Sequence, residues 1–333
     1  MRHVVFVGAI TFGLLTIGTS LADARSIAVE AVRARPASET GDDPTADAIR
    51  QAVVIPAAAI DRGDMGRAKR LPWNAIQPVA EEFRTTGNPS LVPLKWAGYL
   101  EGKDEAGRPY GCTAQFVAPR AILTAAHCVR DHVKDVWYDI NDMRFYLQYQ
   151  NGTYSKEYKP VCASTLKSYR LPLNYDTLGD AEKERAEIET EQYDYAMILL
   201  DAESITGSFY WQAGWKEGDW YGATKIGYPA GVLSGQIIQS AHGAIIWANR
   251  IPPLGEFPQL LALMQFNPNL TSGTSGGAWV GNFSTTEAPD HNIVISISTF
   301  HPPDHPEMAF GPYFKQDDFK YLLDYTARGC SEK

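Results

Sequence analysis

Asn267-Pro268-Asn269-Leu270-Thr271-Ser272-Gly273-Thr274-Ser275-Gly276-Gly277-Ala278-Trp279 is the stretch whose reading decides the fold. Ser275 stands among three glycines, with small hydroxyl residues before it and an apolar segment after it. A nucleophilic serine needs such a setting. Its backbone must turn tightly enough to present Oγ, and nearby N–H groups must converge on a developing oxyanion, which glycine's freedom in φ permits. Taken alone the stretch is weak, because glycine-serine runs are most often plain turns. It also fits the string G-x-S-x-G of the nucleophile elbow. That elbow wants a strand before it, a helix after it, and its acid and histidine later in the chain. Here Pro268 and polar residues precede, and a strand-like segment follows.

The partners lie upstream. Leu123-Thr124-Ala125-Ala126-His127-Cys128 supplies a histidine, and Tyr193-Asp194-Tyr195-Ala196-Met197-Ile198-Leu199-Leu200 supplies an aspartate that opens an apolar strand. The order His127, Asp194, Ser275 is the chymotrypsin order rather than that of subtilisin or the α/β-hydrolases. On these motifs the chain resembles the trypsin/chymotrypsin-type serine endopeptidases, nearest the bacterial glutamyl-endopeptidase (V8-like) branch. The resemblance runs from about Lys95 to about Leu323.

That resemblance implies an all-β fold of two Greek-key β-barrels packed around a catalytic cleft, with a C-terminal helix. It implies Ser275 as nucleophile, His127 as its base and later the acid for the leaving amine, and Asp194 as the acceptor that fixes the ring's tautomer. Asp180 and Asp201 are rival carboxylates. The first lies in a charged insertion, and the second ends the apolar run instead of starting it. The oxyanion hole falls on the backbone N–H groups of Gly273 and Ser275. Acyl transfer of this kind needs no cofactor and no metal, and the histidines show no metal-ligand spacing. The family's disulfide beside the histidine matches Cys112 and Cys128. Cys162 and Cys330 are left over. They either tie the C-terminal end to the first barrel or remain free thiols, and their spacing does not decide.

Two departures from the relatives matter. Thr274 precedes the nucleophile where trypsin-like animal enzymes carry an aspartate that pairs with a new N-terminal amine, so that activation switch is absent. The glutamate-reading histidine of the V8-like branch aligns with Ser298, and a threonine five residues before the nucleophile aligns with Leu270. Asn269 stands where trypsin has its pocket-floor acid. Leu270, Ser298 and Phe300 therefore suggest an uncharged, partly apolar substrate pocket, with His301 at its rim as the one cationic substitute weighed.

The rest of the chain fits an exported enzyme. Its 333 residues, 44% hydrophobic and 21% charged, suffice for two modest cores. The net charge of −9, with no basic block interleaved with aromatics, argues against nucleic-acid binding. Residues 1–24 read as a signal peptide: Arg2 and His3, an apolar run from Val4 to Ile17, and Ala22-Asp23-Ala24 as an A-x-A cleavage site. That run is short for a membrane span, so a secreted, extracellular or periplasmic protein is expected, with no membrane attachment after cleavage. An oxidising compartment favours paired cysteines. Residues 25–90 read as a pro-segment or N-terminal extension, rich in Ala, Arg, Asp and Pro, and Arg67-Ala68-Lys69-Arg70 is a candidate processing site for a zymogen.

From Leu94 the texture changes to short β-type runs broken by Gly and Pro. Residues 91–204 form the expected first barrel, carrying His127 and Asp194. Residues 205–333 form the second, carrying Ser275. Expected strands include Trp96 to Leu100, Gly111 to Val117, Ala121 to Thr124, Val136 to Ile140 and Arg144 to Tyr149, then Tyr158 to Ala163. In the second half they include Gly235 to Gln239, Gly243 to Ala248, Leu261 to Phe266, Ala278 to Gly281 and Ile293 to Thr299. Asp180 to Gln192 reads as an exposed helical insertion and Phe319 to Tyr325 as a closing helix. The aromatic patch Tyr210-Trp211, Trp215 and Trp220-Tyr221 reads as packing rather than a sugar platform. A protein or peptide substrate and a monomer are expected. Two other classes could use the same residues: a protease-like binding protein without turnover, and an esterase.

Overall fold

The apolar runs form two curled, eight-stranded, predominantly antiparallel sheets in the computed structural model. It describes residues 27–34, 84–230, 235–247, 257–265, 273–288, 290–301 and 308–331. The first sheet runs in the spatial order Val29–Arg33, Pro160–Leu166, Ala196–Leu200, Ala121–Thr124, Pro109–Ala118, Ala97–Lys103, Arg144–Leu147, Lys156–Tyr158. Two of its inner strands, Ala196–Leu200 and Ala121–Thr124, are buried at every residue, which is why their sequences are apolar runs rather than alternations. Leu100, Phe116, Ile122, Phe145, Tyr158 and Ile198 fill this barrel, with Phe116 edge-on to both Phe145 and Tyr158.

The second sheet runs Tyr210–Trp211, Ile293–Ile297, Ala278–Gly281, Gly222–Gly227, Gln239–Trp247, Leu260–Gln265, Met308–Pro312, and Arg84–Thr86 pairs with Gln239–Trp247. Tyr210–Trp211 joins parallel to its neighbour, an exception within this sheet. Leu261, Leu263, Trp279, Ile295 and Ala309 pack inside. The aromatic patch is packing for the most part: Trp215 is buried edge-on to Trp247 and Tyr313, and Trp211 leans on Phe319. Tyr210 and Tyr221 remain exposed.

Two helices accompany the sheets among the described residues. Asp180–Glu191 is the charged insertion; its first turn is held by the Gly179 N–H donating to Glu182 Oε2 (3.0 Å), and Ile188 is its buried anchor. Gln316–Ala327 closes the chain, burying Phe319, Leu322 and Leu323 at helical spacing. Cys162 is bonded to Cys330, which ties the end of this helix to the first barrel, and Cys112 is bonded to Cys128.

Several boundaries differ from the sequence reading, for local reasons. Val136 to Ile140 is only a two-residue strand, Val136–Trp137. Asp139 then accepts from the Asn141 N–H and starts a 3₁₀ turn over Ile140–Asp142, so turn chemistry overrides β-propensity. The two runs around Gln239 and Gly243 merge into the single strand Gln239–Trp247. Val29–Arg33 and Arg84–Thr86 join the sheets from the segment read as an N-terminal extension, and Met308–Pro312 is a further strand that the sequence reading did not name. The signal-like residues 1–24, Arg67 to Arg70 and Leu270 lie outside the described residues. No helix among the described residues is long and apolar enough to cross a membrane.

Candidate active site

Antiparallel register explains how His127 and Asp194 meet. Ala196 pairs with Thr124 and Met197 with Leu123. Extending that register by two residues sets Asp194 opposite Ala126, one residue from His127. His127 itself sits in a 3₁₀ turn, Ala126–Cys128, whose last residue is bonded to Cys112 on the adjacent strand. The disulfide and the two strands leave the histidine little freedom.

Asp194 grips this turn twice. Its Oδ1 accepts from the His127 backbone N–H at 2.9 Å, and its Oδ2 accepts from His127 Nδ1 at 2.6 Å. The carboxylate is fully buried, whereas the histidine side chain keeps 16% of its exposure. Burial pushes the Asp194 carboxyl up. The adjacent His127 ring, the two hydrogen bonds and, more distantly, His132 pull it down and prevail, so the group lies below its ordinary value. A charged acceptor on Nδ1 leaves Nε2 as the ring's free lone pair, the state a general base requires.

Ser275 is half-buried in a turn held against the first barrel by two buried polar residues, Thr113 and Gln115. The Thr113 N–H donates to the Ser275 carbonyl (2.8 Å), and Thr113 Oγ1 donates to the Gly273 carbonyl (3.0 Å) while accepting from the Tyr228 N–H (3.0 Å). Gln115 Nε2 donates to the carbonyls of Leu123 (2.9 Å) and Gly276 (3.0 Å), and its Oε1 accepts from the Ala278 N–H (3.0 Å). Gly276 is pressed so close that a Cβ would lie 2.4 Å from the Thr113 carbonyl and 2.7 Å from the Ala125 nitrogen. The serine turn therefore abuts the residues that lead into His127.

Gly273 has φ +83°, and a Cβ there would stand 2.4 Å from the Tyr228 carbonyl. Only glycine fits. Among the described residues neither the Gly273 nor the Ser275 N–H has an acceptor.

The residues read as a substrate pocket are placed as follows. Ser298 is fully buried; its N–H donates to the Gly277 carbonyl (2.9 Å), its carbonyl accepts from the Gly276 N–H (2.7 Å), and its Oγ accepts from Trp279 Nε1 (3.0 Å). Phe300 stacks flat on Phe310, centroids 4.7 Å apart. His301 approaches Lys225, its Nε2 2.5 Å from Nζ. Cys112, His127 and Cys128 cluster closely enough to suggest a metal, but the two sulfurs are bonded to each other and cannot serve as thiolate ligands.

Sequence reasoning missed Thr113 and Gln115, which hold the serine turn. A glutamine inside the apolar run Cys112 to Val117 was the available signal, since buried polar side chains require partners.

Comparison with solved structures was decisive at the level of fold. The chain is similar to the protease Anisep from Arthrobacter nicotinovorans (TM-score 0.55, 19% identity), covering 74% of this chain and 100% of that one. The chain has the fold of the chymotrypsin-like serine proteases. A Glu endopeptidase in complex with MPD gives a TM-score of 0.53 at 16% identity, covering 75% of this chain and 100% of that one. The thermostable serine protease AL20 from an extremophilic microorganism gives 0.52 at 19%, covering 70% and 97%. No family model matches the sequence, and no curated protein matches it.

Proposed function

We propose that the chain is an exported serine endopeptidase. The hydrogen-bonded pair His127–Asp194, together with a serine turn clamped by Thr113 and Gln115 whose Gly276 approaches Ala125, supports this reading. Ser275 Oγ attacks the scissile carbonyl as its proton passes to His127 Nε2. The Gly273 and Ser275 N–H groups receive the oxyanion. His127 then returns the proton to the leaving amine, and water releases the acyl group by the same steps in reverse order. Asp194 stabilises the imidazolium while both protons are on the ring.

Export is supported by the signal-like residues 1–24 and by two disulfides, which persist in oxidising compartments. Residues 25–90 would then include a segment removed on maturation. Thr274 carries no charge for a new N-terminus to pair with, so activation proceeds by uncovering the cleft rather than by forming that ion pair.

Hydrolysis of a mixed peptide library by the purified protein and by Ser275→Ala tests the reading. Peptide cleavage that falls by at least about 10³-fold in the variant is expected. Cleavage of simple esters but of no peptide would indicate an esterase, and equal rates for both proteins would remove Ser275 from the chemistry.

A further inference from the structure

Val29–Arg33 belongs to the segment read from sequence as a pro-segment or extension, yet it is bonded into the first sheet. It lies antiparallel along the edge of Pro160–Leu166, with Val29 opposite Leu166 and Arg33 opposite Cys162. The Ala34 N–H donates to the Val161 carbonyl (2.8 Å), and the Lys167 N–H donates to the Ala28 carbonyl (2.9 Å). Bonded pairs alternate along an antiparallel ladder, so the N–H groups of Glu30 and Val32 point at the same edge. Without this strand, Pro160–Leu166 would present an open row of backbone donors and acceptors, the kind of edge that takes up an extended segment.

Both faces of the strand are committed, since its side chains alternate between them. On one face Val29 and Ala31 pack against the cluster of Cys162, Leu199, Tyr325 and Cys330, and Arg33 Nη2 donates to the Cys330 carbonyl (2.7 Å). The strand thus covers the disulfide that ties down the last helix. On the other face Val32 and Ala34 pack on the main core, and Glu30 pairs with Arg130. Arg130 is buried, and its guanidinium is shared between Glu30 and Asp135. It stands three residues after His127. Departure of Glu30 would leave a buried cation with one carboxylate in place of two, which opposes that departure. The far end of the extension is paired as well, because Arg84–Thr86 lies antiparallel to Gln239–Trp247. The extension therefore contributes one strand to each large sheet.

From this placement we propose that residues 27–34 are a permanent strand of the mature protein, held non-covalently on the edge of Pro160–Leu166 even where the chain is cut downstream of them. A chain so cut stays together as two pieces, a short one carrying Val29–Arg33 and a long one carrying the catalytic residues. The cut itself is hydrolysis: water breaks one peptide bond, leaving a carboxylate on the short piece and an amine on the long one. All four cysteines lie in the long piece, so no disulfide joins the two. Whatever maturation removes from residues 25–90 lies after residue 34. Retention is independent of the chemistry at Ser275, since backbone pairing, one buried ion pair and apolar contact are what hold the strand.

The test uses the full chain with the recognition sequence of a site-specific protease placed between residues 56 and 63. After cutting, fractions from gel filtration in native buffer are read by mass spectrometry. The short piece is expected to elute with the long one in equal amount and to separate from it in denaturant. Val32→Pro in the same chain deletes a ladder N–H, and is expected to raise the free fraction of the short piece by at least about tenfold. If Val32→Pro fails to fold, hydrogen exchange on the uncut wild type is read in its place. The Val32 and Ala34 amides are expected to exchange at least about 10² times more slowly than in an unstructured chain, in step with those of Pro160–Leu166. Elution of the wild-type short piece by itself, full retention of the Val32→Pro piece, or unprotected amides at Val32 and Ala34 would overturn the proposal. None of these readouts depends on turnover, so an inert Ser275 would leave the retained strand standing, and a released strand would leave the enzyme reading standing.

Discussion

Asp194 is a fully buried carboxylate whose two acceptors are both used by one residue, His127. Because its folded-state value lies below the ordinary 3.8, its charge stabilises the fold above that value, and the contribution is lost as pH falls through the depressed one. Wild type should therefore melt above Asp194→Asn throughout the neutral range, with the gap closing only below about pH 4; thermal melts from pH 7 to 2 check this, and a constant gap would contradict it. At Gly273 the positive φ and the nearby Tyr228 carbonyl leave no room for a methyl group. Gly273→Ala is expected to lower kcat by about 10² or more through loss of oxyanion geometry. A variant with unchanged kcat would remove Gly273 from that role. Gln115→Leu strands two carbonyls and one N–H in the interface between the barrels. We expect about 2–4 kcal/mol of destabilisation in denaturant melts. The three motif residues were legible because each carries its own local sequence pattern. Gln115 was not, because a partner that gives it meaning lies 161 residues away.

Elements with apolar runs were legible, and elements completed by a distant neighbour were not. Ala121–Thr124 and Ala196–Leu200 are buried on both faces, so composition alone marks them. Val29–Arg33 has no such mark. It lies in a stretch rich in alanine and arginine, and becomes a strand because the edge of Pro160–Leu166 offers its unpaired backbone. Its side chains secure it: Glu30 pairs with the buried guanidinium of Arg130, and Arg33 Nη2 donates to the Cys330 carbonyl at 2.7 Å. The N-terminal extension is thus partly built into the first barrel. Glu30→Gln should cost about 1–3 kcal/mol, because Arg130 retains Asp135 but loses a charge-assisted partner. Denaturant melts read this directly, and a change below about 0.5 kcal/mol would make the strand incidental.

On the scale of the whole molecule, two links hold the distant parts of the chain together. One is the set of hydrogen bonds from Thr113 and Gln115 to the Ser275 turn. The other is the Cys162–Cys330 disulfide, which closes a separation of 168 residues and corresponds to about 5 kcal/mol in the chain-entropy model, against about 3 for the 16-residue separation of Cys112 and Cys128. Sequence spacing could not choose that pairing, because only the helix Gln316–Ala327, packed on the first barrel through Thr326 and Ser164, brings the two cysteines together. Cys162→Ser/Cys330→Ser should lower the Tm by about 5 °C or more, and an unchanged Tm would show the link to be dispensable. The central claim is that residues 127, 194 and 275, drawn from two sheets, act as one chemical unit. Mass-spectrometric mapping of a fluorophosphonate adduct tests it most directly: the adduct should fall on Ser275 alone and form at least about 10³ times more slowly in His127→Ala. An adduct on another residue, or an unchanged rate without the imidazole, would contradict the account.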